Sequence, residues 1–402
     1  MMKYVILVGD GMGDLPVPEL GDRTPLAAAH TPAMDQVARQ GELLLLQTIP
    51  PGYPPGSDVA NLSLMGYTPG ECYTGRAPLE AASMGVALGP DDIAFRCNLV
   101  TLDFQTDGAV VMEDYSAGHI STEEARELIT AIAGQLNDDR VCFYPGVSYR
   151  HLMVHTGSVS GLATVPPHDF IGRDVAHKWD EYQRIEHFRE LCARARDILE
   201  HHPVNKKRRA AGKCPANAIW LWGEGRAPVM PTLQERFGRS GALVSAVDLL
   251  KGIGVYAGME ILDVPGATGY LDTNYQGKVT AALDALDRHD FVLVHVEAPD
   301  EAGHEGSLEK KLQAIEAFDA NVVQPIVHGL EQRKDPFRLA VAMDHFTPLS
   351  LRTHTTEPVP VALMDSRCRK NSDRRYTEEC ARENTREAID GRTFFRRFLE
   401  DP

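Results

Sequence analysis

The chain has 402 residues, of which 43% are apolar and 24% charged, so it can bury a substantial core and is not a disordered protein. Its formal net charge of −16 comes from 57 acidic against 41 basic side chains, which argues against a nucleic-acid or anionic-membrane partner. A small anionic substrate is compatible with this charge, because local arginines or metal ions can reverse the field inside a pocket.

Cysteine usage and the N-terminal segment indicate the compartment. The seven cysteines form no C-x-x-C pair, which predicts reduced thiols rather than a disulfide framework. The N-terminal segment lacks the basic start, apolar stretch and cleavage site of a signal peptide. No apolar run approaches the ~20 residues that span a bilayer. We therefore expect a cytoplasmic protein with no membrane partner.

The first predicted elements are a strand and two helices. The apolar run 4–8 predicts a buried parallel strand that ends in a loop at Asp10. A helical pattern covers 31–40, where Thr31 resembles an N-cap followed by a proline. After a loop rich in proline and glycine, Ser57 occupies the position expected of the N-cap of a second helix.

From about residue 90 the pattern becomes that of an α+β region. Strands are predicted at 96–103, 109–112 and 151–154, and amphipathic helices at 121–136 and 179–200. The basic segment 201–213 predicts a solvated linker rather than a binding patch.

Strands and helices then alternate to the end of the chain. Strands are predicted at 218–222, 243–244, 291–296, 339–343 and 359–364, with helices near 231–238, 275–286 and 307–332. This pattern favours an α/β fold, a mostly parallel sheet with helices on both faces. We expect one such domain, built from residues 1–85 and 216–402 and interrupted by a smaller α+β domain at 86–215.

Acidic and histidine residues follow three of the predicted strands. Ligands of open α/β sheets bind beyond the carboxyl ends of the strands, so the placement is informative. The six residues are Asp10, Asp300, His304, Asp344, His345 and His354. Each alone could be a helix cap, a turn residue or a surface pair. Together, three aspartates and three histidines at one sheet edge predict a site for Mn²⁺, Zn²⁺ or a similar divalent ion.

Ser57 adds a possible nucleophile to this predicted metal site. At a helix N-terminus, the helix dipole and the free N–H groups favour both an alkoxide and a phosphate. A metal ion would lower the pKa of the hydroxyl further. The alternative is a serine that only caps its helix.

Several motifs together resemble one known family. They are Val8-Gly9-Asp10-Gly11-Met12, Pro55-Gly56-Ser57-Asp58-Val59-Ala60-Asn61, Asp300-x-x-x-His304, Asp344-His345 and His354-x-x-x-x-Pro358-Val359-Pro360. With these motifs the chain is similar nearly end to end to cofactor-independent phosphoglycerate mutases. The similarity also includes Tyr73-Thr74-Gly75-Arg76-Ala77-Pro78, Ser148-Tyr149-Arg150-His151 and Pro166-Pro167-His168-Asp169. The similarity is to their short form in archaea and some bacteria, within the alkaline phosphatase superfamily.

The resemblance implies a reaction and its cofactors. It implies a glycolytic isomerase of 3-phosphoglycerate and 2-phosphoglycerate, acting through a phosphoserine on Ser57. Two divalent metal ions are implied, Mn²⁺ first, with Zn²⁺, Co²⁺ or Mg²⁺ as alternatives. One metal would be held by Asp300, His304 and His354, and the other by Asp10, Ser57, Asp344 and His345.

The resemblance also implies substrate contacts and leaves alternatives open. Lys251 resembles the active-site lysine of the family, and Arg96, His119, Arg150 and Arg173 are the expected clamp for carboxylate and phosphate. Asn61 and Arg76 are weaker candidates. A homoserine kinase of the same short family, a metal-dependent phosphatase and an inactive regulatory homologue are the alternative interpretations, because fold and metal site are shared among activities.

Overall fold

The first strand of the chain lies near the middle of an eight-stranded sheet in a computed structural model that describes residues 1–159, 162, 164–385 and 387–400. These residues form two compact units, a large unit of Met1–Tyr73 and Val229–Pro402 and a small unit of Thr74–Pro228. Elements are numbered below in chain order. Among the described residues, none of the helices combines the length and apolarity needed to cross a membrane.

The sheet of the large unit has the order β13-β2-β12-β11-β1-β10-β8-β9. Its strands are β1 (Lys3–Gly9), β2 (Glu42–Gln47), β8 (Gly241–Val244), β9 (Glu260–Ile261), β10 (Phe291–Val296), β11 (Phe337–Ala342), β12 (Val359–Asp365) and β13 (Ile389–Asp390). Strand β12 runs antiparallel to both of its neighbours, and the other pairs are parallel. Every residue of β1, β10 and β11 is buried, which explains their mainly apolar sequences.

Helices connect and cover these strands. They are α1 (Pro25–Ala28), α2 (Pro32–Gln40), α3 (Ser57–Leu64), α4 (Pro69–Cys72), α10 (Leu233–Phe237), α11 (Asp248–Tyr256), α12 (Tyr275–Ala285), α13 (Ala298–Glu305), α14 (Leu308–Phe318), α15 (Gln324–Gln332), α16 (Glu378–Asn384) and α17 (Gly391–Leu399). The helix expected over 307–332 is divided into α14 and α15 by a π-helical segment, Asp319–Val323. There the Asp319 carboxylate accepts hydrogen bonds from the N–H groups that begin α2.

The small unit is an antiparallel sheet covered by helices. Its strands are β3 (Asp92–Phe104), β4 (Val110–Asp114), β5 (Val141–Val147), β6 (Arg150–Thr156) and β7 (Ala218–Gly225), and its helices are α5 (Arg76–Ser83), α6 (Thr122–Leu136), α7 (Ala176–Arg184), α8 (Glu186–His201) and α9 (Pro203–Ala210). The long β3 is central and pairs with β4, β6 and β7. This unit has its own apolar core.

Two features of the small unit differ from the sequence-based expectation. Strand β7 pairs with β3, and α5 packs against both strands, so the unit begins and ends about a dozen residues outside the expected 86–215. The basic segment is not a solvated linker, because 203–210 form α9. Arg208 is buried there, and its guanidinium donates to the Cys214 carbonyl at 2.9 Å and the Glu124 carboxylate at 2.5 Å.

Candidate active site

Three adjacent strand ends bring the predicted ligands together. Asp10 follows β1, Asp344 and His345 follow β11, and α13 begins directly after β10. Because β1 pairs in parallel with both β10 and β11, these strands end at the same edge of the sheet. Two clusters result, each with ligand atoms within 4.8 Å of one another: Asp300, His304 and His354, and Asp10, Asp344 and His345.

The first cluster centres on the carboxylate of Asp300. His304 Nε2 lies 3.2 Å from Asp300 Oδ2, as expected for residues four apart on α13, and His354 Nε2 lies 3.4 Å from Oδ1. The two Nε2 atoms are 2.9 Å apart. His304 Nδ1 lies 3.0 Å from the Arg352 carbonyl, which can only accept, so Nδ1 carries a proton and Nε2 is the ring nitrogen that would bind a cation in place of its own proton.

Charges within this cluster are strongly coupled. The hydrogen bond to Asp300 raises the pKa of His304 to about 9. Burial opposes ionisation of Asp300, yet the bonds with His304 and His354 hold the pKa of this carboxyl well below its usual range. An ionised carboxylate facing two imidazole nitrogens is a donor set that a divalent cation fits.

The second cluster is completely buried. His345 Nε2 lies 3.4 Å from Asp10 Oδ1 and 3.5 Å from Asp344 Oδ2, and each residue is at most 1% exposed. Burial and the charges of Asp344 and Asp300 raise the pKa of Asp10 well above its usual range. Asp10 Oδ1 has no hydrogen-bond partner among the described residues. Neighbouring buried carboxylates and an unpaired oxygen are the arrangement that a divalent cation would neutralise.

Ser57 lies beside the second cluster. Its Oγ is 3.2 Å from His345 Nε2. The N-cap position belongs to Gly56, and Ser57 is the first residue of α3, so the expectation of a capping serine was wrong by one residue. Asn61, one turn later, donates from Nδ2 to the Ser57 carbonyl at 2.8 Å and to Asp344 Oδ2 at 3.0 Å. These bonds fix the start of α3 against the strand end that carries Asp344.

Two residues of this site were not foreseen. His295 is fully buried in β10 with Nε2 3.2 Å from Asp10 Oδ2, and burial lowers its pKa to about 4. The Thr347 hydroxyl donates to Asp300 Oδ1 and lies 3.3 Å from His345 Nδ1. A histidine inside an apolar strand and a threonine two residues after His345 were the only available signals.

Lys251 lies on α11, which packs against α3. It is half-buried, and its charge acts on Lys278, whose Nζ donates to the carbonyl of His295 at 3.1 Å. Burial lowers the pKa of Lys278 to about 8, with a contribution from Lys251. Lys251 therefore lies within electrostatic range of Lys278, which contacts the strand that carries His295.

The predicted substrate residues all lie in the small unit. The Arg96 side chain is 11% exposed, donates from Nε to Glu80 Oε2 at 3.1 Å and stacks 3.9 Å above the Trp222 ring. Burial lowers the pKa of Arg96, and the charges of Arg76 and Arg150 lower it further. Two of the four predicted clamp residues, Arg96 and Arg150, are therefore neighbours of each other and of Arg76.

The other two clamp residues are placed differently. The His119 ring lies 6.5 Å from the Tyr149 ring, which in turn lies 5.9 Å from the Arg150 guanidinium, so His119 borders this group. Arg173 is exposed on the turn after the short 3₁₀ helix Pro167–Phe170, and no described contact joins it to the other three. His168 was not among the predicted residues, although burial and the charges of Arg96 and Arg76 lower its pKa.

Fold and site together define an α/β protein with a serine beside two clusters of metal-ligating side chains. A family model described as 2,3-bisphosphoglycerate-independent phosphoglycerate mutase matches residues 38–205. A Geobacter sulfurreducens protein named as a probable enzyme of this kind is 56% identical over 382 residues, 95% of each chain. A Methanosarcina acetivorans protein with the same name is 55% identical over 364 residues, 90% of each chain.

Solved structures agree with these similarities. A Pyrococcus horikoshii protein has a TM-score of 0.82 and 29% identity, over 100% of this chain and 98% of that one. The cofactor-independent phosphoglycerate mutase of Thermoplasma acidophilum has a TM-score of 0.64 and 28% identity, over 95% and 94% of the two chains. The chain belongs to the family of 2,3-bisphosphoglycerate-independent phosphoglycerate mutases, which confirms both the resemblance and the predicted α/β fold.

Proposed function

We propose that the chain interconverts 3-phosphoglycerate and 2-phosphoglycerate through a phosphoserine on Ser57. The proposal rests on the Ser57 hydroxyl, whose Oγ lies 3.2 Å from His345 Nε2 at the first residue of α3. The N–H groups and dipole at the start of that helix favour both the alkoxide and a transferred phosphoryl group. Family membership supplies the substrate.

We propose two divalent metal ions as the cofactors. One would be held by Asp300, His304 and His354, and the other by Asp10, Ser57, Asp344 and His345. Mixed carboxylate and imidazole donors suit Mn²⁺, with Zn²⁺, Co²⁺ or Mg²⁺ as alternatives. Such a pair supplies charge neutralisation at the attacking and leaving oxygens of an in-line phosphoryl transfer.

The two transfers balance without an external phosphate donor. In the first, a bond forms between Ser57 Oγ and phosphorus, the bond from phosphorus to the C3 oxygen breaks, and the serine proton passes to that oxygen. In the second, a bond forms between the C2 oxygen of the retained glycerate and phosphorus, the bond between phosphorus and Ser57 Oγ breaks, and the C2 hydroxyl proton passes to Ser57 Oγ. Asn61 keeps the start of α3 in place throughout, because it binds both the Ser57 carbonyl and Asp344. Lys251 would neutralise charge on the transferred group.

The small unit would bind the carboxylate and phosphate of the substrate. Arg96 and Arg150 form a basic group with Arg76, and guanidinium forks match both anions. We propose that His119, at the border of this group, takes part in binding as well. Arg173 is retained as the fourth contact from the resemblance alone.

A parallel assay of the purified, manganese-loaded protein tests this function. One reaction holds 3-phosphoglycerate coupled to enolase, a second holds homoserine and ATP with detection of ADP, and a third measures phosphate release from phosphoglycerate. Activity in the first reaction alone supports the mutase. Activity in the second or third alone would reassign the same serine and clusters to a kinase or a phosphatase.

The seven free thiols fit the reducing cytoplasm, where we propose that the enzyme works.

A further inference from the structure

A lysine with no solvent exposure contacts the two loops that carry the second cluster. Lys311, on α14, is 0% exposed, and its Nζ donates to Asp14 Oδ2 at 2.7 Å, the Gly13 carbonyl at 3.1 Å and the Thr347 carbonyl at 2.7 Å. These three acceptors satisfy all three donors of the ammonium group, and Asp14 balances its charge. A buried ammonium with complete pairing is costly to replace, so its location is informative.

Lys311 joins the two loops that carry the second cluster. Gly13 and Asp14 belong to the loop that follows β1 and carries Asp10, and Thr347 belongs to the loop that follows β11 and carries Asp344. Further bonds tie the same loops together. Thr347 N donates to the Gly13 carbonyl at 3.1 Å, and Leu349 N donates to the Asp14 carboxylate at 3.2 Å. The Lys311–Asp14 pair and these backbone bonds therefore hold the two loops together.

The side chain of Thr347 extends this connection to both clusters. Its hydroxyl donates to Asp300 Oδ1 in the first cluster and lies 3.3 Å from His345 Nδ1 in the second. Since the hydroxyl proton is used on Asp300, the oxygen can only accept from His345, which places the ring proton on Nδ1. His345 Nε2 is then left with its lone pair directed toward Asp10, Asp344 and the Ser57 hydroxyl.

We propose that Lys311, Asp14 and Thr347 form a positioning network that holds the two clusters at a fixed spacing and sets the tautomer of His345. None of the three is a catalytic residue, because they act through Asp300, His345 and the two loops. This inference rests on the proposed metal centre but not on the identity of the substrate.

Manganese binding to metal-free protein tests the network through a readout other than activity. Thr347→Val removes the hydroxyl and keeps the shape of the side chain. A second variant, Asp14→Asn with Lys311→Met, removes both members of the ion pair together, so that neither is left buried without the other. The matched control is Arg338→Met. It breaks the ion pair between the buried Arg338 and the partly buried Asp365, and Arg338 lies at the end of β11 opposite to Asp344.

Isothermal titration with Mn²⁺ and thermal unfolding of the metal-free protein are measured for each variant. We expect the two network variants to bind manganese about 10- to 100-fold more weakly. We expect Arg338→Met to melt at a lower temperature with the affinity of the wild type, and Thr347→Ser to recover that affinity. Wild-type affinity in both network variants, or an equal loss in Arg338→Met, would overturn the network.

The same titration separates this inference from the proposed function. A wild-type protein that binds two manganese ions and loses affinity in the network variants, yet lacks mutase activity, would support the network and contradict the proposed reaction. A wild-type protein that binds no manganese would overturn the metal centre and the network with it.

Discussion

The glycine after Asp10 provides a sharp test of how tightly the two clusters are assembled. Gly11 has a φ of +61°, and a Cβ built there would lie 2.5 Å from Asp300 Oδ1, 2.6 Å from Thr347 Oγ1 and 2.7 Å from Asp300 Cα. Because the third of these atoms is backbone, α13 would have to move before Asp300 Cα reached the 3.4 Å of ordinary contact, a displacement of about 0.7 Å. The Gly11→Ala substitution therefore pushes the two clusters apart.

A second glycine separates this steric effect from backbone strain. Gly21 has a similar φ of +65°, but its Cβ would meet nothing within 4 Å. Alanine at a positive φ costs about 1 kcal/mol of unfolding free energy, so Gly21→Ala should lose that amount alone. Gly11→Ala should lose more, and its phosphotransfer rate should fall about 100-fold, since a shift near 1 Å in a reacting site has consequences of that size.

Both variants are compared by urea unfolding, manganese titration and the enolase-coupled assay. Gly21→Ala should retain the manganese affinity and the rate of the wild type. If Gly11→Ala also retained them, or if Gly21→Ala lost as much activity, the close contact between the Asp10 loop and Asp300 would not determine the geometry of the site.

Three further predictions follow from the burial of charged and nucleophilic groups. Manganese at 100 times its dissociation constant should stabilise the fold by about 2.7 kcal/mol per site, seen as a rise in Tm that EDTA reverses, and an unchanged Tm would contradict the metal centre. Burial and the charges of Glu301 and Asp300 raise the pKa of Glu297 to about 8. Between about pH 4.5 and 8 the Glu297 carboxyl therefore keeps its proton in the folded metal-free protein, whereas in the unfolded chain it has lost it. The free energy of unfolding should therefore fall as pH rises through that window, and it should fall less in Glu297→Gln. Urea unfolding at each pH measures both proteins, and an equal pH dependence would refute the raised pKa of Glu297. Iodoacetamide should label the exposed Cys368 of the native protein, whereas Cys192, whose pKa burial raises to about 12, should be labelled only after unfolding, as peptide mass spectrometry would reveal.

The sequence predicts those parts of the site that depend on apolar strand sequences and on the residues that follow them. Strands β1, β10 and β11 are mainly apolar, and parallel strands of one sheet place their carboxyl ends together. Asp10, Asp300 and Asp344 follow these runs directly or within one helical turn, so their convergence could be predicted without coordinates.

The remaining parts depend on contacts between distant segments. Lys311 and Asp14 are 297 residues apart, and nothing near either residue indicates the pairing. Strand β7 has the same apolar pattern whichever sheet it joins, so its pairing with β3 could not be foreseen. Likewise, the basic sequence of α9 predicts a solvated segment, because the acceptors of Arg208 on Glu124 and Ala117 lie 84 and 91 residues away. These choices are made by packing and by the need to pair buried charges.

The most direct test of the central claim is mass spectrometry of the protein after incubation with 3-phosphoglycerate and manganese and rapid acid quenching. The account predicts one added phosphoryl group on Ser57 in the wild type and none in Ser57→Ala, which should also lose mutase activity. Ser63→Ala is the matched control, because Ser63 is a buried serine on the same helix and should not affect phosphorylation. Full activity in Ser57→Ala, or a phosphoryl group on another residue, would contradict the phosphoserine mechanism.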